Sequence, residues 1–230
     1  MSENANISME EARALVADRT LWPRVRDFLW DFAPQVHKSW LEGFEADSSL
    51  VLGLMSSPRV KRYVLDFLGV DPCFHVFPKE DGSRMLLLDG ATLFEICKWL
   101  GALACAESLR RVTDGATVRA LKTEFKGVYP EVFGFTAYFK GVEFPRGDSE
   151  SQEGREKINA EMVVGEGASI LLGLMSSLPE PLLNRFRLKL PKTLCASASP
   201  REAGRGKGSM KAVVAKLLKL KFPEAYSLCC

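Results

Sequence analysis

Apolar residues along this 230-residue chain recur at spacings of three and four, and proline or glycine repeatedly cuts the pattern. A half-buried strand needs an apolar residue at every second position, whereas this spacing lines one face of a helix. The chain can therefore bury its apolar surface only by packing helix on helix, and the expected fold is all-α, an irregular multi-helix bundle. Val25, Phe28, Leu29 and Phe32 share a face after Pro23, which suits an N1 position. Val36, Trp40, Leu41 and Phe44 resume the pattern beyond Pro34. Two further apolar pieces, 49–57 and 60–68, flank Pro58, with Gly69 placed to end the second. A short acidic helix is expected over 9–18. Residues 74–88 break the rhythm: Asp81-Gly82 between apolar runs reads either as the turn of a small β-hairpin or as a loop entering the next helix.

The clearest element is a helix over 91–111, capped by Asp89, with Leu93, Ile96, Cys97, Leu100, Leu103, Ala104 and Leu109 on its buried side. Gly101 inside it costs about 1 kcal/mol relative to alanine, a cost that makes sense if another helix crosses closely there. Thr113 and Asp114 start a second helix carrying Val118, Leu121 and Phe125, and Pro130 starts a third, through Phe139. Residues 141–157 are polar and read as a surface loop. An amphipathic segment is expected over 158–175, broken by Pro179 and Pro181. The domain reading is a helical adaptor domain over 1–192, a Ser/Gly/Arg-rich linker over 193–209 and a basic amphipathic helix and tail over 210–230. The strings SLVLGLMSS (49–57) and SILLGLMSS (169–177) nearly repeat, but their flanks do not match. Similar local structure or chance explains them better than duplication.

Composition narrows function. Hydrophobic residues make up 47% and the net charge is only +2, which is ordinary globular composition and implies no polyanion partner for the whole chain. From Arg201 onward, however, seven basic residues face two acidic ones, so the net charge is concentrated in the tail. The polar, acidic N-terminus does not resemble a signal peptide, and no apolar run is long enough to span a bilayer. No direct membrane insertion is expected. The six cysteines, Cys73, Cys97, Cys105, Cys195, Cys229 and Cys230, form no CxxC pair. With only His37 and His75 as histidines, no metal site is expected. Phosphate-loop, dinucleotide, nucleophile-elbow and HExxH signatures are absent. The pairs Cys73 with His75, Asp66 with Asp71 and Glu80 with Asp81 are better read as turn and surface residues than as catalytic groups. The expectation is no catalytic residue, no cofactor and no enzymatic activity.

Charge instead marks candidate contacts. Arg110 and Arg111 end a helix, where cations suit the negative end of the dipole. Arg119 lies beyond the turn and gains nothing from that end, so it is the better contact with another molecule. In the tail, Val213, Val214, Leu217 and Leu218 are set against Lys211, Lys216 and Lys219. These six cations, Arg110, Arg111, Arg119, Lys211, Lys216 and Lys219, are the expected partner-binding residues.

The order and spacing of several strings resemble the K subunits of the bacterial type III secretion sorting platform, the SctK/YscK family. These are Leu100-Gly101-Ala102, then Leu109-Arg110-Arg111, then Gly115 with Val118-Arg119 and Leu121. Arg187-Leu188-Lys189-Leu190-Pro191 and a last helix running into Phe222-Pro223 extend the likeness. The resemblance implies a helical adaptor under the injectisome, cytoplasmic and peripheral to the inner membrane. It would join the cytoplasmic domain of the inner-membrane ring protein (the D subunit) to the pods of the Q subunit, and through them to the stator and the export ATPase. No nucleic acid is expected as partner. The alternative is a protein that binds nucleic acid or an anionic surface through its basic C-terminal helix.

Overall fold

A computed structural model of the chain describes residues 18–44, 47–70, 82–139, 144, 158–198 and 207–229. Among the described residues there are twelve α-helices, four 3-10 helices and no strand, so the fold is all-α. The helix expected over 9–18 falls, except for Asp18, outside the described residues. So does the first arm of the hairpin alternative. Where its second arm would run, Ser83–Leu87 is a 3-10 helix.

The chain forms two compact units, each assembled from segments distant in sequence. The first draws its described residues from Met1–Gly90, Leu178–Pro191 and Pro223–Cys230. Its first helix, α1 (Leu21–Trp30), buries Leu21, Val25, Phe28 and Leu29, the face expected from the spacing. It begins two residues earlier than Pro23 suggests. The Asp18 carboxylate accepts from the Thr20 and Leu21 amides and the Thr20 hydroxyl, which starts the turn and holds its pKa below the usual carboxylate range. After two 3-10 turns, Ala33–Gln35 and Lys38–Leu41, come α2 (Ser48–Gly53) and α3 (Pro58–Phe67). Pro58 opens α3, and Gly69 ends it in the left-handed region, at φ +62°. There the Val70 amide reaches back to the Leu65 carbonyl and the Gly69 amide to Asp66, the bond pair of a Schellman stop.

The second unit draws on Ala91–Ser177 and Lys192–Phe222. The helix expected over 91–111 is two helices: α4 (Gly90–Ala104) and the five-residue α5 (Ala106–Arg110). The backbone leaves helical geometry at Cys105, with φ −91° and ψ 8°, and this opens the turn between them. Asp114 caps α6 (Gly115–Glu124), accepting from the Ala116 and Thr117 amides. Pro130 precedes α7 (Glu131–Phe135), which tightens into the 3-10 turn Thr136–Phe139.

The segment expected to be amphipathic is instead the centre of this unit. Every residue of α8 (Ala160–Met175) from Gly167 onward is buried. Helices α4, α6, α10 (Lys192–Ser197) and α11 (Lys207–Lys221) pack around it and leave no face for solvent along that stretch. At the crossing with α4 two glycines meet. A Cβ on Gly101 would overlap the Val163 carbonyl, and one on Gly167 would overlap that of Cys97. The near-repeat strings thus lie in different surroundings, although Val51 and Met55 of the first are buried like their counterparts. In α2 and the turn after it, Leu50 and Leu54 are exposed, while their counterparts in α8 are buried.

Candidate protein interface

Six cations were expected to meet a partner, and the fold gives them three kinds of surroundings, all within the second unit. Helix α11 turns Met210, Val213, Val214, Leu217 and Leu218 inward. Lys211 and Lys219 are exposed, and Arg119 is exposed on α6. None of these three has an ion-pair partner among the described residues. Arg111 is also exposed, but it pairs with Glu107 one helical turn earlier.

Arg110 and Lys216 are exposed but held. Arg110 donates to the Phe133 carbonyl at 3.2 Å and to the Thr136 hydroxyl at 2.8 Å, with its guanidinium 5.6 Å from the Phe133 ring. Lys216 donates to the Tyr138 carbonyl at 2.8 Å and lies 5.6 Å from the Tyr138 and Phe139 rings. Both therefore converge on one short tract, 131–139, from helices far apart in sequence.

Lys221 completes this cluster and was not expected. Its ammonium pairs with Glu131 and lies 4.8 Å from the Trp99 ring and 4.6 Å from that of Phe135. A signal for it existed: Lys221 follows Leu217 by four residues and Leu218 by three, which places it on the buried stripe of α11.

Two more cations are buried within the first unit, on α9 (Glu180–Leu188) and the residue after it. Arg185 donates to the Phe28 carbonyl at 2.9 Å and stacks 5.2 Å from Phe32. Lys189 donates to the Leu86 and Leu88 carbonyls at 2.6 and 2.9 Å, with its ammonium 4.8 Å from the Phe28 ring. Burial pushes the Lys189 pKa down to about 7, against a smaller opposing pull from Asp89. Here too the position carried a signal, since Lys189 lies three residues after Phe186 and seven after Leu182 on the apolar stripe.

Of the residues considered and set aside as catalytic, one, Asp66, lies among the described residues. Asp66 pairs with Arg62 on the surface of α3. Asp71, Cys73, His75, Glu80 and Asp81 lie outside the described residues. His37 accepts from the Ser39 amide and caps a 3-10 turn, and burial lowers its pKa. Burial raises that of Cys97, a small apolar side chain in the α4 core. No three potential metal ligands gather among the described residues.

The description YOP proteins translocation protein K (YscK) belongs to the family that matches residues 27–229 of the chain. The chain is a member of the YscK family. It is thus a component of a type III secretion system. No curated protein and no solved structure matches it.

In this YscK-family chain, the strings that carried the resemblance have identifiable physical work. Leu100-Gly101-Ala102 is the α4 side of the glycine crossing, and Leu109 anchors α5 in the core beside the exposed Arg110 and Arg111. In Arg187-Leu188-Lys189-Leu190-Pro191, the Leu188 carbonyl accepts from the His37 amide and that of Leu190 from the Trp40 indole, each at 2.8 Å. These strings chiefly hold the fold together.

Proposed function

We propose that the chain is a non-enzymatic adaptor of the type III secretion sorting platform. On this reading it joins the cytoplasmic domain of the inner-membrane ring protein (the D subunit) to the Q-subunit pods, and indirectly to the stator and export ATPase. The family match from residue 27 to residue 229 carries the proposal. Two further features support it. No helix among the described residues is long and apolar enough to cross a membrane, so a ring protein would hold the chain at the inner membrane from the cytoplasmic side. Two units, each with its own core, also offer separate rigid supports for separate partners.

Arg110, Arg111, Arg119, Lys211, Lys216 and Lys219 are the proposed contact residues, facing acidic partner surfaces. Arg119, Lys211 and Lys219 are exposed cations suited to steering, whereas Arg110 and Lys216 are already oriented. Binding of nucleic acid or an anionic membrane by α11 has less support. The apolar face that would enter a bilayer is packed inside the unit, and Lys216 and Lys221 are turned toward aromatic rings.

The test is a pull-down from the native bacterium with a tagged full chain, read by mass spectrometry. Both the ring-protein domain and the pod protein should be recovered. Arg119→Glu, with an unchanged melting curve, should lower recovery of one of them by about tenfold. A folded Arg119→Glu chain that recovers both at wild-type yield would remove Arg119 from the interface. Recovery of nucleic acid with neither protein would overturn the adaptor reading.

A further inference from the structure

The tract 131–139 presents an exposed aromatic side chain and holds two cations that have no carboxylate partner among the described residues. Tyr138 is 57% exposed, a high value for a large apolar or aromatic side chain among the described residues. On the same tract, Arg110 is tied to Phe133 and Thr136, and Lys216 to Tyr138 itself. The acceptors are two carbonyls and a hydroxyl, which orient a cation without neutralising it. The one carboxylate of the tract, Glu131, is taken by Lys221 beneath. Phe135 ties the layers together, with its ring 5.1 Å from that of Trp99 and 5.6 Å from that of Tyr138.

We propose that Tyr138, Arg110 and Lys216 form a docking surface for an acidic segment of a partner protein, with Tyr138 as the apolar anchor and the two cations receiving carboxylates. The inference rests on the adaptor reading and gives it a location and a partner chemistry. An exposed aromatic side chain on the same tract as an arginine already held in place is the composition of a binding hot spot, because little side-chain entropy remains to be lost. Charge complementarity selects an acidic occupant. Two surface cations on one short tract make a compact spot, too short to follow a phosphate backbone, which favours a peptide over nucleic acid.

The experiment places a photo-cross-linking phenylalanine derivative at position 138 of the full chain in the native bacterium, with the same derivative at Arg119 as comparison. Cross-linked peptides are identified by mass spectrometry. The expected capture at 138 is a net-acidic segment of one protein, with a yield at least about fivefold lower in Lys216→Met and Arg110→Gln chains that still melt as wild type. Capture of basic or neutral segments only, of nucleic acid or lipid, or of nothing, would overturn the surface. So would a yield indifferent to both substitutions in folded chains. The partner's identity tests the adaptor reading separately. An acidic segment from neither the ring protein nor the pod would keep the surface and reject that role. Recovery of both proteins by pull-down without acidic capture at 138 would keep the role and reject the surface.

Discussion

Lys189 shows what one residue contributes to this fold. Its ammonium holds the Leu86 and Leu88 carbonyls, just before α4 begins. Its own carbonyl lies so close to Gly90 that a Cβ there would meet it at 2.5 Å. The folded pKa of about 7 lies below the ordinary lysine value of 10.5. Between those values the unfolded chain binds more protons than the folded one, so this residue makes stability rise with pH. From about pH 7 to about pH 9 its contribution should grow by about 2 kcal/mol, and below pH 7 it should be flat. Urea unfolding of the wild type and of Lys189→Met across this range checks the prediction. The variant should lack that share of the rise, and parallel curves would show that the lysine is not buried as described. Lys189→Met also leaves two buried carbonyls without their donor, so its stability above pH 9 should fall below wild type by about 2 kcal/mol.

At the scale of elements, the α4–α8 crossing is the most constrained contact. Gly101 and Gly167 each face backbone rather than a movable side chain, so the helices must separate to admit a methyl group. Gly101→Ala or Gly167→Ala should destabilise by about 3 kcal/mol or more, read as a lower denaturant midpoint. Gly134 in α7 is the contrast, since nothing lies within 4 Å of a Cβ built there. Gly134→Ala should leave stability unchanged or raise it by about 0.5 kcal/mol, because alanine loses less backbone freedom in a helix. Asp114→Ala removes the cap of α6 and should cost about 1 kcal/mol. A Gly101→Ala chain as stable as wild type would mean that the two helices do not cross in backbone contact at this point.

At the scale of the whole molecule, both units depend on the end of the chain. Helices α10 and α11 belong to the second unit and α12 (Pro223–Cys229) to the first. A chain ending at Pro191 would lose the buried Leu194, Met210, Val213, Val214, Leu217 and Leu218. At about 1.5–3 kcal/mol per buried side chain, that loss is comparable to the whole stability of a domain. Such a chain should show no cooperative thermal transition and should bind a hydrophobic dye. A sharp transition near that of the full chain would contradict the contacts described here.

What was legible in the sequence is what short-range chemistry decides. The helical period in α1, the proline start and glycine stop of α3, the Asp114 cap and the close crossing implied by Gly101 all depend on dihedral preferences and neighbours a few residues away. The strings shared with the YscK family were legible in the same way. Tertiary structure decided what surrounds each face. One string, SLVLGLMSS, stands exposed at Leu50 and Leu54, and its near-copy is buried in α8, because four helices pack around α8. Periodicity also put Arg110 on one helix and Lys216 and Lys221 on another, with nothing to connect them. Their convergence on residues 131–139 required the chain to bring distant segments together, as in the pair Lys221 and Glu131, 90 residues apart. Local sequence determines a helix and its phase, but burial depends on what distant segments supply, and here those segments also decide which charges are oriented, neutralised or left for a partner.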